Sequence, residues 1–162
     1  MSEQQSKEWN RIVCDSAEEV LGTMFFCSVV GESKVGESKV GESNPNPCSD
    51  AISARVRFEG DPSGTLTIAI SLDAARVITS NFLGTELNEP LPREVEQVTC
   101  ELANIMCGNV LARNTSLKTF CLSPPEIVEL TPPLSHSIAV TLEIEDGWFT
   151  TYLTFDGAVN GQ

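Results

Sequence analysis

Two side chains in the segment from Pro92 to Asn114 could carry chemistry, one a carboxylate and the other a carboxamide. They belong to a set of four residues that share one side of a helix, because they are spaced by four, three and four: Gln97, Glu101, Asn104 and Gly108. We call this set the polar stripe. A carboxamide offers hydrogen-bond donors and an acceptor, so Asn104 could orient a water molecule without acting as a strong base. The sequence carries no metal-ligand cluster, phosphate-binding loop or nucleophile–base motif, which argues against a hydrolase that acts on its own and is neutral toward a protein that completes the site of another.

The helix that must position the polar stripe is predicted to run from Pro92 to Asn114. Pro92 suits a first turn, Glu94 and Glu96 complement the positive end of the helix dipole, and Asn114 is a plausible stop. Apolar residues at spacings of three and four predict a core-facing side, made of Val95, Val98, Leu102, Ile105 and Met106. The polar stripe lies about 130° around the helix from that side, so it should face water or a partner. A mid-helix glycine costs about 1 kcal/mol relative to alanine, so Gly108 indicates the close approach of another surface.

The run Glu101-Leu-Ala-Asn104, followed by Ile-Met-Cys-Gly-Asn, resembles the signature helix of the CheC/CheX/FliY family of bacterial chemotaxis phosphatases. The family pattern has an acidic or Ser residue, then a Glu, then an Asn, with a Pro further along the chain. Glu101 and Asn104 match that pattern, whereas Gln97 stands at the acidic or Ser position. Pro124 and Pro125 stand slightly closer than the pattern expects.

Within that family the CheX branch is the best match, because residues 20–25, Val-Leu-Gly-Thr-Met-Phe, resemble its first helix. The resemblance implies a phosphatase that removes the phosphoryl group from phospho-aspartate on a CheY-type receiver domain. Asn104 would position the attacking water and Glu101 would pair with a receiver lysine. Gln97 and Gly108 would contact the receiver, which would also supply Mg²⁺, so the protein would need no cofactor of its own. The alternative is a non-catalytic chemotaxis or motor adaptor that binds a receiver domain.

Composition limits the classes of partner and compartment. With 10 basic against 23 acidic residues, the net charge is −13, which argues against nucleic acid and anionic membrane surfaces as partners. No apolar run approaches the roughly 18 residues of a membrane span, and the polar N-terminus shows no secretory signal, so we expect a cytoplasmic protein. A length of 162 residues is enough for a single domain, residues 1–162, with its own core.

The cysteines and the single histidine are predicted to be structural. No pair of the six cysteines has the C-x-x-C spacing, and in a reducing compartment buried free thiols are the expected state. Cys48 lies in a polar segment and is expected to be the most exposed. His136 has no second histidine or nucleophile motif near it, so a structural role is expected there.

Periodicity predicts the remaining elements. A helix over residues 3–24 should bury one side, made of Trp9, Ile12, Val13, Ser16, Ala17, Val20 and Met24. The repeat GESKVGESKVGES and the Asn and Pro residues after it predict a low-complexity surface loop over 31–50. A second helix is predicted over 72–83, and alternating apolar residues predict strands over 25–30, 52–59, 65–70, 117–122, 127–130, 137–145 and 148–155.

An internal repeat relates the two halves of the chain. A shift of 82 residues aligns the helix over 3–24 with the helix over 92–113, and a shift of 83 aligns Gly64–Ile70 with Gly147–Leu153. The equivalent helix positions are Val13 and Val95, Val20 and Leu102, Met24 and Met106, Asp15 and Gln97, Glu19 and Glu101, and Gly22 and Asn104. Because glycine has no side chain to reach a partner, the first helix should be a silent copy of the second.

These elements predict an α/β sandwich of the α+β class with pseudo-symmetric halves. Two long helices, 3–24 and 92–113, should pack on one face of a mainly antiparallel six-stranded sheet. An open sheet edge must be covered in some way, and CheX-like proteins form homodimers, so the resemblance implies a homodimer here.

Overall fold

The computed structural model describes residues 2–30, 50–84, 89–114, 119–129 and 138–156, and the backbone alone of residues 34–37. Within these ranges the chain forms three helices and seven strands. Their order is α1 (Glu3–Met24), β1 (Lys34–Glu37), β2 (Ala51–Glu59), β3 (Gly64–Ser71), α2 (Leu72–Leu83), α3 (Pro92–Arg113), β4 (Cys121–Leu122), β5 (Glu126–Val128), β6 (Ile138–Ile144) and β7 (Gly147–Phe155). The bounds of both long helices are those predicted from the sequence, and the α+β class is confirmed.

The strands form one antiparallel sheet in the order β1-β6-β7-β3-β2-β4, with β5 pairing beside β4 along the same edge of β2. Six strand positions therefore cross the sheet, as predicted, although the last position is shared by two short strands. The predicted strand candidates 117–122 and 127–130 correspond to β4 and β5, and residues 115–118 and 130 lie outside the described ranges.

A local two-fold axis passes through the middle of the sheet and confirms the predicted repeat. Ile68 of β3 lies directly opposite Thr151 of β7, its equivalent at a shift of 83. The hairpin partners β2 and β6 flank this central pair, and the outer strands pair in the matching way, β5 with β2 and β1 with β6. The helices obey the same symmetry, because each buried α1 residue falls on a buried α3 residue at a shift of 82: Val13 on Val95, Ser16 on Val98, Ala17 on Thr99, Val20 on Leu102 and Leu21 on Ala103.

The core lies between the helices and one face of the sheet. Alternate residues of β2 point into it, and Phe58 is fully buried there. The ring of Phe155 lies 5.0 Å from Trp9 of α1 and 6.1 Å from Phe58, measured between centroids, so aromatic contacts fix the first turns of α1 against the end of β7. Met24, expected in the core, is instead 44% exposed, and Leu21 takes the buried position.

Two segments differ from the sequence prediction. Within the predicted loop over 31–50, the backbone of Lys34–Glu37 forms β1 and pairs with β6, from Lys34 opposite Thr141 to Glu37 opposite Ile138. Strand pairing at a sheet edge uses main-chain groups that every residue carries, so a polar repeat can pair without apolar side chains. Residues 31–33 and 38–49 lie outside the described part of the chain.

The predicted strand over 25–30 is not formed. Phe25 caps α1 and is fully buried, so the chain must turn at this point rather than extend. What remains of the strand is an isolated bridge between Val29 and Ile144, with the Val30 N–H donating to the Glu143 carbonyl at 2.9 Å.

Candidate functional site

The helix α3 begins and ends where the sequence predicts. Pro92 occupies its first turn, and the Glu94 carboxylate accepts a hydrogen bond from the Leu91 N–H at 2.8 Å. This contact satisfies a main-chain donor that the helix itself cannot pair. Arg113 lies in the last turn, where its charge complements the helix dipole, and Asn114 is the C-terminal cap.

The buried part of α3 is wider than predicted. Four of the five predicted core residues are buried, namely Val95, Val98, Leu102 and Met106, while Ile105 is half-buried. Five further residues are also buried: Thr99, Ala103, Cys107, Val110 and Leu111. The reason is that α1 and α2 contact α3 in addition to the sheet. A narrow strip is left uncovered, and it contains the polar stripe.

The polar stripe lies on the side of α3 that the sequence predicts. Gln97 and Glu101 are exposed, and Asn104 and Gly108 are half-buried. Within the part of the chain that the structure describes, the side chains of Gln97, Glu101 and Asn104 make no hydrogen bond or ion pair. A Cβ atom added at Gly108 would meet nothing within 4 Å, so packing inside this chain does not require glycine there. These groups are therefore available to another molecule.

The equivalent stripe on α1 consists of Asp15, Glu19 and Gly22, and both of its carboxylates already form ion pairs within the chain. Asp15 lies 3.8 Å from the Nε of Arg11, and the Glu19 carboxylate forms an ion pair with the Arg113 guanidinium of α3. Arg113 also donates through Nε to the Asn109 carboxamide at 2.8 Å, which fixes its orientation. Gly22 completes this stripe and carries no side chain.

The Glu19–Arg113 pair has no symmetric counterpart by sequence. The residue 82 positions before Arg113 is Gly31, which cannot pair with Glu101. Since both partners of the observed pair are partly exposed, it contributes at most about 1 kcal/mol to stability. Its main consequence is that Glu19 is held in an ion pair within the chain, whereas its equivalent Glu101 has no such partner in the described ranges. No local sequence pattern reveals this pair, because its two residues are 94 positions apart.

The two cysteines of α3 do not have the properties of reactive thiols. Burial raises the pKa of the Cys107 thiol to about 12, and burial followed by the nearby Glu96 carboxylate raises the pKa of Cys100. Both thiols therefore stay protonated at neutral pH and are weak nucleophiles. Cys27 is buried as expected, whereas Cys14 is half-buried and Cys121 is exposed. The expectations for Cys48 and His136 concern residues outside the described ranges.

In the described ranges, no group of three or more His, Cys, Asp or Glu side chains is arranged to hold a metal ion. None of the described helices is long and apolar enough to cross a membrane.

Several solved structures have a similar fold. The structure is similar to that of a chemotaxis protein CheX from Desulfovibrio desulfuricans, with a TM-score of 0.71 and 17% identity over 92% of this chain and 99% of that one. It is also similar to CheX in the CheX–CheY–BeF₃–Mg²⁺ complex from Borrelia burgdorferi, with a TM-score of 0.68 and 18% identity over 91% and 97% of the two chains. FliY from Thermotoga maritima gives a TM-score of 0.63 and 17% identity over 99% and 94%.

Sequence comparison gives a family directly. No curated protein matches the chain. The profile of the family described as "Chemotaxis phosphatase CheX" matches residues 52–142, a span that includes α3 and the whole polar stripe. Because this match extends over more than half of the chain, the protein belongs to the chemotaxis phosphatase CheX family.

Proposed function

We propose that this protein dephosphorylates phospho-aspartate on a CheY-type receiver domain, and that Asn104 positions the attacking water. The observation that carries the proposal is the state of Glu101 and Asn104. They lie three residues apart on the uncovered strip of α3 and have no partner within the described part of the chain. Side chains left unpaired in this way can complete a site on another protein.

The receiver domain and this protein would each supply part of the catalytic site. The receiver would bring the phospho-aspartate, a lysine and Mg²⁺, and this protein would bring no cofactor of its own. A related CheX has been captured with CheY, BeF₃ and Mg²⁺. Phosphoryl transfer needs a nucleophile held in line with phosphorus, and the metal and lysine neutralise the developing charge. The missing component is an oriented water, which a carboxamide can hold through its donor and acceptor groups.

Glu101 would set the register of the complex. Its exposed carboxylate lies three residues before Asn104, which places it about 4.5 Å earlier along the helix axis. An ion pair between Glu101 and the receiver lysine would fix the depth to which Asn104 reaches. Gln97 and Gly108 would flank these two residues at the contact.

We place the reaction in the cytoplasm. The described cysteines are free thiols, a state that a reducing compartment maintains, and a receiver domain would be found in the same compartment.

Replacing Asn104 with Ala should abolish the assisted reaction and leave the fold intact. We expect the acceleration of phosphate loss to fall on the order of 100-fold, because the water is no longer positioned, while the melting temperature stays within about two degrees. The measurement is phosphate release from an acetyl-phosphate-loaded receiver, with thermal melts alongside. Asn109→Ala removes a carboxamide from the same helix off the polar stripe and should retain the rate. Binding to the receiver without acceleration by the wild-type protein would instead identify an adaptor.

Glu101→Ala and Glu19→Ala form a matched pair, since the two residues are symmetry equivalents. Glu101→Ala should weaken receiver binding at least about tenfold, because it removes the ion pair to the receiver lysine. Glu19→Ala should change neither binding nor rate, because Glu19 is already paired with Arg113. Titration of a beryllofluoride-activated receiver with each variant gives the two affinities. Loss of activity in Glu19→Ala alone would place the site on α1.

Gly108→Ala should raise stability and lower function together. Alanine stabilises a helix interior by about 1 kcal/mol over glycine, and the added Cβ meets nothing in this chain. The same methyl group would stand between α3 and the receiver, so we expect weaker receiver binding. Chemical denaturation of Gly108→Ala measures its stability, and titration with the receiver measures its affinity. If the variant is more stable and binds the receiver as tightly as the wild type, Gly108 does not lie at the contact with the receiver.

We also propose that the protein is a homodimer. The outer strands β1 and β4 leave main-chain groups at the edges of the described sheet, and a second copy would pair or cover such an edge. Sedimentation at tens of micromolar should give a species of twice 17.5 kDa. A species of 17.5 kDa at that concentration would contradict the proposal.

A further inference from the structure

Phe26, which follows the cap of α1, has an unusual combination of exposure and backbone conformation. Its side chain is 70% exposed, the largest fraction among the exposed large apolar residues that the structure describes. Its φ angle is +54°, in the left-handed region that disfavours residues with a bulky side chain. Among the described residues it is the one non-glycine with a positive φ. A strained backbone that displays an aromatic ring to solvent is an observation that calls for a function.

The residues on either side hold Phe26 in this conformation. Phe25 is fully buried, and its ring stacks on Phe82 at 5.2 Å between centroids. The Asn81 carboxamide donates to the Phe25 carbonyl at 3.4 Å, and the Cys27 N–H donates to the Leu21 carbonyl at 2.9 Å. With both neighbours fixed to the core, the Phe26 side chain is directed outward. An aromatic ring held in this way loses little conformational freedom on binding.

The two-fold symmetry brings the end of α1, which Phe26 follows, level with the polar stripe of α3. An axis perpendicular to the sheet makes α1 and α3 antiparallel, and the Glu19–Arg113 ion pair fixes their relative level. Met24, the last residue of α1, follows Glu19 by five residues, and Gly108 precedes Arg113 by five residues. At 1.5 Å per residue both steps are about 7.5 Å, so the end of α1 comes level with Gly108, and Phe26 follows that end two residues later.

The surface around Phe26 is apolar with an acidic border. Met24 and Val30 are 44% and 66% exposed, and we call these two residues and Phe26 the apolar ledge. Phe26 lines a shallow groove together with Glu18 and Gly22, and Glu101 lies exposed on the neighbouring helix. The chain as a whole carries a net charge of −13. A second copy seated on this ledge would bring like charges together, whereas a partner with an apolar face and a basic rim would complement them.

We propose that the apolar ledge is part of the receiver-binding surface and that Phe26 is its anchor. The inference rests on the proposed function, because it takes the partner of the ledge to be the domain that Asn104 enters. When the polar stripe docks, Phe26 packs on an apolar face of the receiver next to the phosphorylated pocket. Phe26 thereby contributes affinity and selects receivers with such a face, and it takes no part in the chemical step.

The test measures affinity and rate separately in variants of the full chain. The probe is a CheY-type receiver activated with beryllofluoride and Mg²⁺, and the rate is phosphate release at saturating receiver. Phe26→Ala should weaken binding about tenfold or more, as loss of a buried aromatic anchor does, with an unchanged saturating rate. Phe26→Gly should lose the same affinity while folding at least as stably as the wild type, because glycine adopts the left-handed conformation freely. Phe26→Tyr keeps an aromatic ring at this position and should bind the receiver with wild-type affinity. Leu122→Ala truncates an exposed apolar residue of the edge strand β4 and should also leave the receiver affinity unchanged.

The possible failures are distinguishable from failure of the phosphatase proposal. Wild-type affinity in Phe26→Ala overturns the ledge assignment, even where Asn104→Ala has lost the rate. Dissociation of a dimer by Phe26→Ala at unchanged receiver affinity also overturns it, because the ledge then belongs to a second copy. If Phe26→Ala binds the receiver more weakly while Asn104→Ala releases phosphate at the wild-type rate, the role of the apolar ledge in receiver binding is supported. The proposed role of Asn104 in positioning water is then wrong.

Discussion

The antiparallel pairing of β3 with β7 is the constraint on which the rest of the architecture depends. Ile68 faces Thr151 at its centre, and the two-fold axis at this point relates the hairpins, the outer strands and the long helices. Each long helix packs mainly on a strand of the opposite half, α1 on β6 and α3 on β2. Neither half can bury its own apolar helix face alone, so the two halves fold as one domain.

The same symmetry identifies equivalent positions in the two halves, and these positions carry different residues. Glu19 is held by Arg113, whereas its equivalent Glu101 has no partner in the described part of the chain. The carboxamide of Asn104 is replaced on α1 by the hydrogen of a glycine. The position equivalent to Gly108 is Phe26, just beyond the end of α1. In our account α3 supplies the polar groups that reach into the receiver, and α1 supplies the apolar contact that holds it. The two symmetry-related halves of the fold would thus contribute different parts of one receiver-binding surface.

The sequence predicts what local periodicity controls and misses what long-range contacts decide. The bounds of α3 and the outward direction of Glu101 follow from spacing and capping within one segment. The strand at Lys34–Glu37 is missed because edge pairing uses the main chain, which a polar repeat does not reveal. The Glu19–Arg113 pair joins residues far apart in the chain, and the left-handed backbone at Phe26 depends on tertiary packing of its neighbours, so neither leaves a signal in the local pattern.

The role of Asn104 is tested most directly by separating the chemical step from binding. A phosphorylated receiver is mixed with saturating wild-type protein or Asn104→Ala, and single-turnover phosphate release is followed, while affinity is measured with the beryllofluoride-activated receiver. The account predicts that the variant binds within about twofold of the wild type and releases phosphate at close to the receiver's own rate. A variant that binds normally and releases phosphate at the wild-type rate would contradict it, because the water would then be positioned by some other group.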